Sequence, residues 1–191
     1  MYLERIQVND FKSILELEWE LAENISCLVG QNESGKSNLL ELFDYLDSKN
    51  AKLLNYEKHT SRSSKSYVQQ ELPKILYFYK VNPSKKVELI KLLNAHKVES
   101  DLFSNNKQDL YYKIEIDEKE PNKHNSAFII NGKSVQLKSL KVNGPAPPPQ
   151  VGGMQRSQVP INPKIMGVIQ AFIDKSLTSI VKLEDNFKIT Y

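Results

Sequence analysis

ISCLVGQNESGKSNLLEL, residues 25–42, decides how the rest of the chain is read. The apolar run Ile25-Ser26-Cys27-Leu28-Val29 predicts a buried strand. It leads straight into Gly30-Gln31-Asn32-Glu33-Ser34-Gly35-Lys36-Ser37, an octet of the form G-x-x-x-x-G-K-[ST]. Each fixed position has a physical reason. Gly30 permits a sharp exit from the strand, and Gly35 lets backbone N–H groups approach an anion without a Cβ in the way. Lys36 brings an ammonium to the β- and γ-phosphates of a nucleotide, and the Ser37 hydroxyl suits a Mg²⁺ coordination position. Asn38 to Phe43 continues as an amphipathic helix whose N-terminal dipole favours negative charge. The strand–loop–helix context makes this a phosphate-binding loop, with Gly30, Asn32, Ser34, Gly35, Lys36 and Ser37 as the cradle and ATP with Mg²⁺ as the ligands.

Working outward, residues 2–8 (YLERIQV) have strand spacing, and Asn9-Asp10-Phe11-Lys12-Ser13 reads as a turn anchored by one aromatic ring. From 15 to 21, Leu15, Leu17, Trp19 and Leu21 alternate with Glu16, Glu18 and Glu20, which predicts an antiparallel strand buried on one side. Two strands thus precede the phosphate loop, whereas doubly wound kinases and GTPases usually place it after the first.

These residues in this order resemble the N-terminal half-head of the SMC/RecF-type ABC ATPases, and more closely the ATPase of the overcoming-lysogenization-defect (OLD) family and its antiphage relatives. The resemblance lies in the aromatic-basic-Ser turn Phe11-Lys12-Ser13, the acidic alternating strand, the phosphate loop and the Asn38 that follows its serine. It covers about the first 46 residues well and thins beyond Tyr79. It implies an α/β P-loop NTPase of the ABC-head type with an antiparallel β lobe, represented here as an incomplete head. It also implies that Lys12 and Ser13 lie close to the nucleotide and that Asn38 supports the loop. A homodimer or a partner nuclease subunit, and DNA, are the partners it suggests, in DNA transactions or antiviral defence. In such heads a glutamine leading a strand after the loop helix touches Mg²⁺, and Gln69 or Gln70 is the candidate for that metal contact.

Residues 47–70 are polar with little periodicity and predict a surface excursion; within it Lys58-His59-Thr60-Ser61-Arg62 forms a small basic cluster. No second ligand at metal spacing accompanies His59. Pro73-Lys74-Ile75-Leu76-Tyr77-Phe78-Tyr79 predicts a strand, 84–96 a helix capped by Ser84, 100–107 a polar loop and 110–117 another strand. Asn131-Gly132 between Phe128-Ile129-Ile130 and Val135 is the strongest hairpin signal in the chain. These elements give an ATPase lobe over 1–142. Residues 143–163, rich in Pro and Gly, predict a linker or ordered loop. Over 164–191 an amphipathic helix started by Asn162-Pro163 and a final strand are expected, continuing into sequence beyond this chain.

Composition sets outer bounds. With 26 Lys+Arg against 23 Asp+Glu the net charge is +3, which permits nucleic-acid binding without arguing for it. A lone cysteine excludes a disulfide framework and Cys-based metal sites. No apolar run approaches the roughly 20 residues of a membrane span, so a cytoplasmic protein with no membrane partner is expected. No four-residue apolar run ends in an acidic pair of the Walker B kind, and Val151-Gly152-Gly153-Met154-Gln155-Arg156 lacks the serine of an ABC signature. No catalytic residue is therefore assigned. Hydrolysis is expected to need such elements from a longer chain or a partner, leaving this chain alone inactive. Two rival readings stand beside the ATPase: a small P-loop kinase, and a non-hydrolysing, nucleotide-gated interaction module.

Overall fold

A computed structural model describes residues 1–23, 26, 28–29, 31, 35–46, 54–104, 109–116, 125–143 and 158–177. In chain order these form β1 (Tyr2–Phe11), β2 (Ile14–Glu20), α1 (Lys36–Glu41) running into a 3₁₀ turn (Leu42–Leu46), α2 (Tyr56–His59), α3 (Lys65–Val68) and β3 (Lys74–Lys80). Then come α4 (Pro83–Ala95), α5 (Asp101–Ser104), β4 (Tyr111–Glu115), β5 (Asn125–Ile130), β6 (Lys133–Val135), β7 (Lys141–Asn143), β8 (Gln158–Pro160) and α6 (Pro163–Ser176).

Six strands make one antiparallel sheet in the order β2-β1-β3-β4-β5-β6. Its two faces follow from period-2 alternation. Ile6, Val8, Ile75, Tyr77, Tyr112, Ile114 and Phe128 fall on one face, all buried. On the other, Arg5 pairs with Glu18 at 2.6 Å, and Lys113 and Lys74 with Glu115 at 3.2 and 3.9 Å. Two departures from alternation keep β1 in register with its neighbours. A bulge between Leu3 and Arg5 turns Leu3 inward although Arg5 faces out. Near the other end Asp10, at φ 60°, breaks the parity so that Phe11 enters the core.

Helices cover the apolar face. Ile169 and Ile173 of α6 and Leu89 and Leu93 of α4 are fully buried in the same core as the sheet residues. Gln170 meets the Tyr112 hydroxyl at 3.3 Å, and Tyr77 donates its hydroxyl to the Leu42 carbonyl at 2.5 Å, tying α6 and the 3₁₀ turn to the sheet. Phe103 of α5 packs edge-on to Phe128, so a stretch expected as a polar loop carries a core residue.

Both long helices start at Asn-Pro. Asn162 accepts from the Lys164 N–H at 2.8 Å, as the sequence predicts. For α4 the cap is Asn82, which accepts from Lys85 at 3.1 Å, and not Ser84; Pro83 fits the first helical position, where its missing N–H is no loss. The Asn131-Gly132 hairpin forms as expected, with φ of 51° and 73°. At the flanks of the proline-rich stretch, β7 and β8 pair with each other antiparallel. The signature-like residues 151–156 and the expected final strand at 187–191 lie outside the described residues.

Candidate nucleotide site

The apolar run before the phosphate loop is not a buried strand in its described residues. Ser26, Leu28 and Val29 have no strand conformation, and Val29 is 91% exposed. A strand persists where neighbours satisfy its backbone N–H and C=O groups, and among the described residues none lies alongside this one. Of the loop itself, Gly30, Asn32, Glu33 and Ser34 lie outside the described residues. Gly35 sits at the head of α1 with φ 87°, a left-handed value that favours glycine. Lys36 donates its ammonium to the Gln31 carbonyl, and Ser37 is exposed.

Against this helix lies the β1–β2 turn. Strand β1 extends to Phe11, further than its sequence suggests, and the turn is the two residues Lys12 and Ser13. Asn38 donates its amide to Ser13 Oγ at 2.9 Å. One helical turn on, Glu41 takes the Lys12 ammonium in an ion pair. A Cβ at Gly35 would stand 3.0 Å from Ser13 Oγ, a contact the serine would have to yield slightly to admit, on top of the strain of the left-handed φ. The structure thus gathers Lys12, Ser13, Gly35 and Asn38 at the start of α1. It places the Lys12 ammonium on Glu41, five residues beyond Lys36.

The opposite side of the turn is closed by the segment expected to be a solvated excursion. Lys12 N–H donates to the His59 carbonyl and Ser61 N–H to the Asp10 carbonyl, both at 2.7 Å, and Ser66 Oγ donates to Asp10 Oδ2 at 2.6 Å. Thr60 and Ser61 are buried as a result. The correction has a simple origin: Asp10 and Lys12 both take positive φ, which turns their backbone groups away from the sheet ladder, and the 54–66 segment supplies partners. Gln69 and Gln70 follow α3 on this side, both exposed, with Gln70 at φ 57°.

Three rings pack beneath the turn. His59 stacks on Phe11 at 6.2 Å and 10°, and Tyr45 stands edge-on to both, at 6.0 Å from Phe11 and 5.9 Å from His59. Tyr45 also directs its hydroxyl to Glu41 at 3.4 Å. Burial, and then the neighbouring Lys12 charge, hold the His59 imidazole below its ordinary pKa. The Asn55 N–H donated to Nδ1 at 2.8 Å occupies the lone pair that a second proton would need. Glu41, Tyr45 and His59 are site residues that sequence reasoning missed. Glu41 had a signal in lying one turn from Asn38 on the same helix face, and His59 in belonging to the Lys58–Arg62 basic cluster; Tyr45 had none.

The donors at this helix start suit a polyphosphate: the Lys36 ammonium, the exposed Ser37 and a left-handed Gly35 packed against Ser13, with the Lys12 ammonium held nearby on Glu41. Among the described residues no helix is long and apolar enough to cross a membrane.

Residues 1–144 match a family model described as the AAA ATPase domain. Over 110 residues the chain is 28% identical to the DNA replication and repair protein RecF of Clostridium beijerinckii, covering 54% of this chain and 30% of that protein. RecF of Paenarthrobacter aurescens is 41% identical over 46 residues, 24% of this chain and 12% of the relative. The chain therefore spans less than a third of these relatives, 30% and 12% of their lengths. A solved structure described under "Structural biochemistry of ATP-driven dimerization and DNA stimulated activation of SMC ATPases" aligns with TM-score 0.36 and 15% identity, over 71% of this chain and 73% of that one.

Proposed function

The chain belongs to the AAA ATPase domain family, and from that premise we propose that it is the phosphate-binding portion of an SMC/RecF/OLD-like ATPase. The observation that carries the reading is the fit between the motif and its neighbour: Gly35 of the octet takes a left-handed φ and packs against Ser13 of the preceding turn, whose Oγ lies 3.0 Å from where a Cβ would stand. In this reading the loop from Gly30 to Ser37, with Asn32, Ser34, Gly35 and Lys36, holds the phosphates of ATP. Ser37 would hold Mg²⁺, joined by Gln69 or Gln70. Lys12 and Ser13 face the nucleotide from the side. Bound Mg²⁺ would neutralise phosphate charge, while the chain's own lysines orient the ligand and add positive charge to the site.

Similarity to proteins named for DNA replication and repair supports DNA as a partner of the whole protein. The order of turn, acidic strand, loop and Asn38 supports the OLD branch, and with it antiviral defence, a homodimer or a partner nuclease, and a cytoplasmic setting. Turnover in this reading needs an acidic pair and signature groups, which these residues do not carry.

Lys36→Ala tests the reading directly. Its loss removes a charge-assisted phosphate contact of about 1.5–3 kcal/mol, roughly a ten- to hundredfold weakening of ATP·Mg²⁺ binding by calorimetry, with the melting temperature unchanged. Equal affinities in the two proteins would take the phosphate loop out of the function.

A further inference from the structure

We propose that Glu41 is a positioning residue of this site: it parks the Lys12 ammonium beyond the phosphate loop, and a bound polyphosphate must draw that ammonium off the carboxylate. The inference rests on the phosphate-loop reading given above.

Lys12 is fixed at its backbone and selectable at its tip. Its N–H is held by the His59 carbonyl and its φ is 52°, so the Cα cannot drift. Ser13, the next residue, already lies against Gly35 at the end of the loop. From that anchor a flexible four-carbon stem can carry the ammonium either along α1 or toward the loop. In the structure it goes along α1 to Glu41. Five residues separate Glu41 from Lys36, about 7.5 Å of helix rise, so the parked charge lies more than a turn past the position that Lys36 marks.

Glu41 is itself held in place. It leaves α1 where the helix tightens into the 3₁₀ turn, and the Tyr45 hydroxyl approaches its second oxygen. Tyr45 is 1% exposed and wedged edge-on against Phe11 and His59. The side chains of Lys12 and Glu41 are 26% and 22% exposed, so solvent screens their attraction less than it would an open surface pair. Phosphate and carboxylate compete for one cation. Weakening the carboxylate's hold should therefore favour the nucleotide, and only where Lys12 is present to move.

The test is a double-mutant cycle on ATP·Mg²⁺ affinity, using the wild type, Glu41→Gln, Lys12→Met and the double variant, with a thermal melt of each. Glu41→Gln should tighten binding about three- to tenfold in the wild-type background. In the Lys12→Met background the same change should shift affinity less than about twofold. Glu41→Asp keeps the charge but shortens the reach, and it should also tighten binding; this variant serves if Glu41→Gln does not fold. An equal gain in both backgrounds would mean that Glu41 acts only through its field. Weaker binding on Glu41→Gln would mean that the carboxylate presents Lys12 rather than withholding it. Either result overturns the inference. Lys36→Ala is measured alongside: if it leaves binding intact, the phosphate-loop reading has failed, whereas an additive cycle with Lys36→Ala impaired removes Glu41 alone.

Discussion

Two antiparallel hairpins of this sheet are closed by two-residue turns, and they are built on opposite principles. At β5–β6 the turn residues are Asn131 and Gly132, at φ 51° and 73°, and these are the residue types that adopt left-handed backbone at least cost. At β1–β2 the left-handed values belong to Asp10 and Lys12, at 60° and 52°. Asp tolerates such a backbone much as Asn does, but Lys has no such ease, and Lys12 costs of order 1 kcal/mol or more. The first turn is encoded by its own residues. The second is imposed by its surroundings, with α1 on one side and the 54–66 segment on the other. Backbone strain held in place by neighbours is a mark of a functional site, and here it adjoins the candidate nucleotide loop.

The comparison is broken most severely by emptying the ring that supports each hairpin. Phe11 and Phe128 are both fully buried, and either one changed to Ala should cost about 3–5 kcal/mol in urea denaturation. Their functional effects should differ. Phe11 supports His59 and Tyr45 beneath the strained turn, so Phe11→Ala should also weaken ATP binding when measured at low temperature on the folded protein. Phe128 touches Phe103 and Tyr112 in the far half of the sheet, and its loss should leave affinity unchanged. Equal affinities in the two variants would show that the strained turn is not coupled to nucleotide.

A milder contrast uses the two left-handed glycines. Nothing lies within 4 Å of a Cβ at Gly132, so Gly132→Ala should cost only the conformational penalty, about 1–2 kcal/mol of stability, and leave ATP binding alone. At Gly35, φ 87°, the same methyl would press on Ser13 Oγ at 3.0 Å and unseat it from Asn38. Gly35→Ala should therefore cost at least as much stability as Gly132→Ala in the melt and, unlike it, weaken ATP binding in calorimetry. If both variants bind ATP like the wild type, Ser13 and Gly35 are neighbours of no consequence to the ligand.

What the sequence disclosed follows the same division. Alternation in β2, the β-prone run of β3 and Asn131-Gly132 are local signals, and each element formed where its pattern put it. The Asn162-Pro163 helix start was equally legible; the same pair at Asn82-Pro83 was passed over in favour of Ser84, although both caps work alike. Of the site, Lys12, Ser13 and Asn38 could be nominated by resemblance, and they do lie together. What could not be read is anything set by tertiary contact. The 54–66 segment has no periodicity because its task is to supply single hydrogen bonds to Asp10 and Lys12, and such bonds leave no pattern in sequence. The described residues of the apolar run, Ser26, Leu28 and Val29, depart from the strand expectation for the complementary reason. An apolar stretch reports a wish to be buried, and only pairing partners decide whether it becomes a strand.

The smallest expected effect concerns His59 and acid. Its pKa in the folded protein is lowered, first by burial and then by Lys12; Lys58 acts in the same direction, and Glu41 opposes. In the unfolded chain the imidazole returns to about 6.5. Between that value and the lower folded one, the unfolded state binds a proton that the folded state refuses, so stability must fall as pH falls. The contribution is complete above pH 6.5 and is lost progressively below it. Because the ring is only partly buried, the effect is small, about 2 °C or less in melting temperature between pH 7.5 and 5.5. His59→Asn keeps an acceptor near the Nδ1 position for the Asn55 N–H but cannot titrate. The wild type should therefore lose more melting temperature than His59→Asn on acidification. Bound ATP should shrink that difference if it draws Lys12 from Glu41, because the cation that lowers the imidazole pKa moves away and the carboxylate that raises it is freed. Parallel melting curves without nucleotide would show that His59 is a packing residue whose proton is indifferent to the fold.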